Sequence, residues 1–89
     1  MDRTVTVVPE AGLHARPAAT FVETASEYDA TVTISPADGD ANPVDASSML
    51  AVTGLGVKSG EDVRLVAEGD DAEAALDALE DVLSTPESG

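Results

Sequence analysis

Hydrophobic and polar residues change period along this chain, and each change marks an element. Residues Arg3 to Val8 alternate, with Val5 and Val7 on one face and Thr4 and Thr6 on the other, which predicts a half-buried strand. The turn residues of PEAGLH end it. Pro17 suits the first turn of a helix, where its missing N–H costs nothing. Ala18, Phe21, Val22 and Ala25 then recur at helical spacing and predict a helix running to about Tyr28. ATVTIS alternates again, with Val32 and Ile34 inward, and reads as a second strand. PADGDANP is a loop of Pro, Asp-Gly and Asn-Pro turn signals, followed by a short strand around Pro43 to Asp45.

SSMLAVTGLG opens on a capping serine and closes on glycines, so it predicts a short helix. EDVRLVAEG is a strand with Val63 and Leu65 on one face. DDAEAALDALEDVL is the clearest helix, since Ala72, Ala75, Leu76, Leu79 and Leu83 share one stripe and the opening acids complement the helix dipole. The order is strand, helix, strand, strand, helix, strand, helix, without an internal repeat. It predicts one α+β domain over residues 1–84, a sheet covered on one face by amphipathic helices, with a polar tail at 85–89.

Charge changes the picture more than length does. Eighteen acids stand against Arg3, Arg16, Lys58 and Arg64, a formal net charge of −14. Nucleic-acid binding is not expected, because phosphate-backbone affinity needs clustered cations. Disorder is opposed by a hydrophobic content of 43% with clear periodicity. The near absence of lysine favours adaptation to high salt, where the Debye length falls to about 3 Å at 1 M and self-repulsion is screened. No apolar run approaches the length of a membrane span, and MDRTVTVVPE lacks a signal-peptide layout. There is no cysteine. A cytoplasmic protein without membrane insertion is the expectation.

The only histidine, His14, lies in GLHARPAATF just before a helix start. Unpaired N–H groups and the dipole attract anions there. With an unperturbed pKa of about 6.5, imidazole offers a neutral nucleophile near physiological pH. Arg16 can clamp a phosphate oxygen with its planar fork. The combination suits a transient phosphoryl group, while a loop histidine without a task is the bland alternative. A metal site wants more His, Cys or clustered carboxylates, so no metal and no cofactor are expected. A Ser-His-Asp triad needs a pocket that so small a chain can barely enclose. GLG at 54–56 closes a helix rather than opening one and is no dinucleotide fingerprint.

GLHARPAATFV resembles the active-site segment of the HPr family, the histidine-containing phosphocarriers of the phosphoenolpyruvate:sugar phosphotransferase system. The similarity continues into ASSMLAVTGLGVKSGEDVRLVAEGDDAEAALDALEDVL, which resembles the family's regulatory-serine helix, fourth strand and final helix. The resemblance implies an open-faced sandwich with four antiparallel strands, three helices on one face and the order βαββαβα.

It further implies that His14 accepts the phosphoryl group, on Nδ1, with Arg16 stabilising it near the backbone amides of Ala15 and Arg16. Pro17 matches the family's proline at the helix start and Ser48 its regulatory serine. Enzyme I would be the donor and a sugar-specific enzyme IIA the acceptor, with an HPr kinase as a further partner and the chain acting as a monomer. Such a protein is a reactant carrying a phosphohistidine rather than a stand-alone catalyst. A regulatory module of the same fold, switched by phosphorylation without sugar flux, is the alternative. Met49, Leu50 and Thr53 would form the docking patch, with ordinary helix packing as the competing role. Many family members carry lysines where this chain has Glu23, Ser26 and Ser47, so partner electrostatics should differ.

Overall fold

The alternating residues of the predicted strands meet in one register. In the computed structural model, which describes residues 1–38 and 42–86, the elements are β1 (Asp2–Thr6), α1 (Ala15–Ser26), β2 (Thr31–Pro36), β3 (Val44–Asp45), α2 (Met49–Gly54), β4 (Asp62–Glu68) and α3 (Ala72–Ser84). The strands form one sheet in the order β1-β4-β2-β3, and every neighbouring pair is antiparallel. Val5 pairs with Val63, Ile34 with Leu65 and Val32 with Ala67, and all six are buried. One residue along, Thr4, Arg64 and Ser35 form a cross-strand row on the other, more open face. Period-two alternation thus becomes an open-faced sandwich with its helices on one side.

The helices cover the inward face with the residues their spacing predicts. Ala72, Ala75, Leu76, Leu79 and Leu83 of α3 are all buried. In α1 Ala18, Phe21 and Ala25 are buried with Pro17, while Val22 packs at the margin. Boundaries shift at the ends. β1 leaves the ladder after Thr6, yet Val7 stays fully buried, donates to the Glu61 carbonyl at 2.9 Å and accepts from the Gly60 N–H at 2.7 Å. α1 stops at Ser26, short of Tyr28. The 36–43 loop and the 85–89 tail are described only in part, because residues 39–41 and 87–89 lie outside the described residues.

The acids opening α3 do more than face its dipole. Asp71 makes no side-chain bond to its own helix. Its carboxylate accepts the N–H groups of Asp29 at 2.9 Å and Ala30 at 2.7 Å, fastening the entry of β2 to the start of α3.

Two of the four cations are committed to the sheet and its covering helix. Arg3 bridges to Asp77 at 2.6 Å and Glu80 at 2.9 Å, and Arg64 to Asp2 at 2.6 Å. The hydrogen bond from Arg64 holds the Asp2 carboxyl below its usual range. These pairs are exposed enough to contribute little, whereas repulsion among the remaining acids acts over the whole surface. The thermal midpoint should therefore rise between dilute buffer and molar potassium chloride. A parallel scan in a neutral osmolyte separates screening from solvent exclusion. A midpoint that stays flat or falls would contradict this balance of charges.

Candidate functional site

A glycine that no other residue can replace without strain sets the loop carrying His14. Gly12 has φ +72°, and its N–H donates to the Pro9 carbonyl at 2.9 Å. A Cβ on it would lie 2.6 Å from the Val57 carbonyl oxygen and 2.9 Å from Lys58 Cα, so the two backbones touch. Leu13 completes the join, with its side chain fully buried and its N–H donating to the Val57 carbonyl at 3.0 Å. The Ser59 hydroxyl donates to the Val8 carbonyl at 3.2 Å. Gly12→Ala should cost on the order of 1–3 kcal/mol from the left-handed backbone alone. Backbone displacement adds to that, and a denaturant titration would measure the sum.

With Leu13 pinned inside, His14 emerges half-exposed, in extended conformation (φ −135°, ψ 167°), at the N-cap of α1. Its side chain makes no capping bond. Ala15 follows at φ +52°, the one non-glycine residue with positive φ among those described. An L-residue held there stores about 1–3 kcal/mol of strain, a feature concentrated at functional sites. Pro17 has no N–H, and the Ala18 N–H reaches the His14 carbonyl at 3.4 Å. The amides of Ala15 and Arg16 have no acceptor among the described residues. Two orphan donors and the positive end of a helix dipole therefore lie at the helix start where His14 is the N-cap.

Arg16 is exposed, and no carboxylate lies within ion-pair distance among the described residues. With Pro9, Pro17, Thr20, Asp81 and Val82 it lines a groove of about 310 Å³ between α1 and the end of α3. His14 does not line that groove. It is half-exposed, so a group on another macromolecule can reach it. Among the described residues no cluster of His, Cys, Asp or Glu is arranged to hold a metal ion.

The serines before α2 have separate tasks. Ser47 does not compete for the cap, because its N–H and hydroxyl both donate to Asp45 Oδ1, at 2.9 and 2.7 Å. Those bonds, the hydroxyl's first, lower the Asp45 pKa. Ser48 occupies the N-cap and accepts the Ala51 N–H at 3.3 Å. Val52 is buried beneath α2, while Leu50 is 85% and Met49 40% exposed. Packing thus does not account for Leu50. The Thr53 hydroxyl is occupied by the Met49 and Leu50 carbonyls, at 2.9 and 3.3 Å. α2 packs on α1, and the segment leaving it is the one that grips Gly12, so His14, Arg16 and the exposed apolar pair belong to neighbouring elements.

The structure puts His14 and Arg16 at the start of α1, Pro17 in its first turn and Ser48 at the N-cap of α2, whereas the anchor of Gly12 and Leu13 on Val57 and Lys58 was not read from the sequence. Gly12, two residues before His14, was the one available signal.

The family model for the phosphotransferase-system HPr component phosphorylation site matches residues 1–85. The chain belongs to the HPr family. It is 73% identical over 88 residues to the phosphocarrier protein HPr of Haloferax volcanii, covering 99% of this chain and 98% of that one. To the HPr of Streptomyces coelicolor it is 50% identical over 78 residues, covering 88% and 82% of the two chains. Among solved structures, the HPr of Bacillus anthracis superposes with a TM-score of 0.87 at 34% identity, covering 94% and 96%.

The four-stranded antiparallel sheet with three helices is thus the HPr fold. An HPr is a phosphocarrier of the phosphotransferase system, and that work implies protein partners within the system. The Haloferax HPr also fits the salt-adapted charge. Among the described residues no helix is long and apolar enough to cross a membrane.

Proposed function

We propose that His14 accepts a phosphoryl group from phosphorylated enzyme I and passes it to a sugar-specific enzyme IIA. The carrying observation is a half-exposed histidine at a helix start whose first two amides have no acceptor, two residues before an exposed arginine with no carboxylate partner, among the described residues. Residues 1–84 are the carrier unit, working in the cytoplasm as a monomer.

In the loading step the His14 Nδ1 lone pair attacks phosphorus in line, and the phosphorus–nitrogen bond to the enzyme I histidine breaks. The bond's electron pair returns to the donor imidazole. His14 gives up its Nε2 proton as the donor ring regains one. The Ala15 and Arg16 amides and the Arg16 guanidinium meet the charge on the phosphoryl oxygens. Delivery to enzyme IIA reverses these roles. Met49 and Leu50 supply an apolar contact for both partners. Enzyme I with phosphoenolpyruvate should attach one acid-labile phosphoryl group. An acid-stable product would mean a hydroxyl, not His14, is the acceptor.

The placement of Ser48 favours a second, regulatory use of the same surface. Its hydroxyl caps α2 immediately before the exposed Met49 and Leu50. A phosphate there, added by an HPr kinase, can be received by the amides the hydroxyl now caps, so the helix survives while charge is added to the docking face. Ser48→Ala should lose about 1 kcal/mol of stability with the cap. Ser48→Asp should keep the cap yet weaken enzyme I binding well beyond Ser48→Ala. Equal, parent-like binding by both variants would reduce Ser48 to a cap.

A further inference from the structure

We propose that Lys58 is a second cation of the phosphoryl site, acting with Arg16 on the group carried by His14. The inference rests on His14 being the acceptor. Of the four cations in the chain, Arg3 and Arg64 are tied into ion pairs. Arg16 and Lys58 have no carboxylate within ion-pair distance among the described residues. Lys58 belongs to the join between the His14 loop and the segment leaving α2, and Arg16 follows His14 by two residues at the start of α1. The Lys58 backbone lies against Gly12, where a Cβ would come 2.9 Å from Lys58 Cα, and the adjoining Val57 carbonyl takes the Leu13 N–H at 3.0 Å.

The placement is fixed rather than incidental. The Lys58 N–H donates to Glu61 Oε1 at 2.7 Å and the Glu61 N–H returns to the Lys58 carbonyl at 3.1 Å, closing a turn around Ser59 and Gly60. Glu61 therefore engages the Lys58 amide, while the lysine side chain is exposed. Gly12 and His14 are two residues apart, so their Cα atoms are separated by no more than about 7.6 Å, and the Lys58 and His14 Cα atoms by roughly 12 Å at most. A four-carbon stem on one side and a phosphorylated imidazole on the other shorten that gap. Glu10 and Glu61 are the nearby acids in sequence and turn, and Arg16 is the other cation. On a chain of net charge −14, an arriving phosphoryl group of about −1.5 to −2 meets repulsion that one guanidinium counters only in part.

The test uses potassium phosphoramidate, which phosphorylates histidine without any protein partner. The His14 Nδ1 lone pair forms the new bond to phosphorus, and the phosphoramidate nitrogen leaves with the old bond's electron pair. That nitrogen departs as ammonium, taking up the proton His14 releases. Rates would be compared for the parent, Lys58→Gln and Lys58→Arg, with phosphoramidate and with phosphorylated enzyme I, in 0.1 M and in molar potassium chloride.

Lys58→Gln should be slower by roughly five-fold with both donors at low salt, from one unit charge acting at contact distance through water. Lys58→Arg should restore the rate, the difference should narrow in molar salt, and thermal midpoints should agree among the three. Equal rates for Lys58→Gln and parent would overturn the proposal. So would slowing with enzyme I alone, which would make Lys58 a docking residue, or a parent that phosphoramidate does not label. A parent that shows the lysine effect with phosphoramidate but refuses enzyme I would instead sink the carrier reading and leave the role of Lys58 standing.

Discussion

His14→Ala, incubated with enzyme I and phosphoenolpyruvate, should take up no phosphoryl group while keeping the parent's fold. His14 is the sole histidine, so no second imidazole can substitute. The stability of its surroundings does not rest on its side chain. Leu13 supplies the buried anchor, the main chain makes the bonds to Val57 and Ala18, and the imidazole makes no cap bond. Circular dichroism and a thermal melt should overlay on the parent within about 0.5 kcal/mol, the usual range for surface changes away from structural features. Labelling is therefore read against a folded control. Phosphoryl uptake surviving in the variant would place the acceptor elsewhere.

Arg16→Ala should carry the next largest effect. The guanidinium is exposed and has no carboxylate partner among the described residues, so removing it breaks no ion pair there. Its value lies in the transition state, where charge spreads over the phosphoryl oxygens and a positioned donor typically contributes about 2.7–4 kcal/mol. Single-turnover transfer should slow by roughly 10²–10³-fold with donor and with acceptor alike. Arg16→Lys should recover only part, because a point charge cannot reproduce the bidentate fork. An unchanged rate in both directions would reduce Arg16 to a solvated surface charge.

What the sequence made legible is what nearest-neighbour periodicity encodes. The α3 stripe and the alternation through Val5, Val7, Val63 and Leu65 were readable because burial on one face imposes a period of 3.6 or 2. His14 was readable because a helix start beside an arginine is a local arrangement. Contacts between distant segments had no such signal. Gly12 against Val57 and Lys58, and Asp71 on the amides of Asp29 and Ala30, are tertiary choices that no spacing announces.

Local ambiguity hid the rest. Two adjacent serines could each have capped α2, and Asp45 decided between them by engaging Ser47. A helix of six residues is too short for a stripe to tell whether Leu50 faces core or solvent. Alanine at position 15 gives no hint that its backbone is left-handed.

Carriage itself is tested by isolating the phosphorylated chain from enzyme I and phosphoenolpyruvate, adding an enzyme IIA, and following both intact masses. This chain should lose one phosphoryl group as the enzyme IIA gains one, and Arg16→Ala should slow the exchange without changing its end point. A phosphoryl group that stays on the chain, or leaves only as inorganic phosphate while the enzyme IIA mass is unchanged, would contradict carriage.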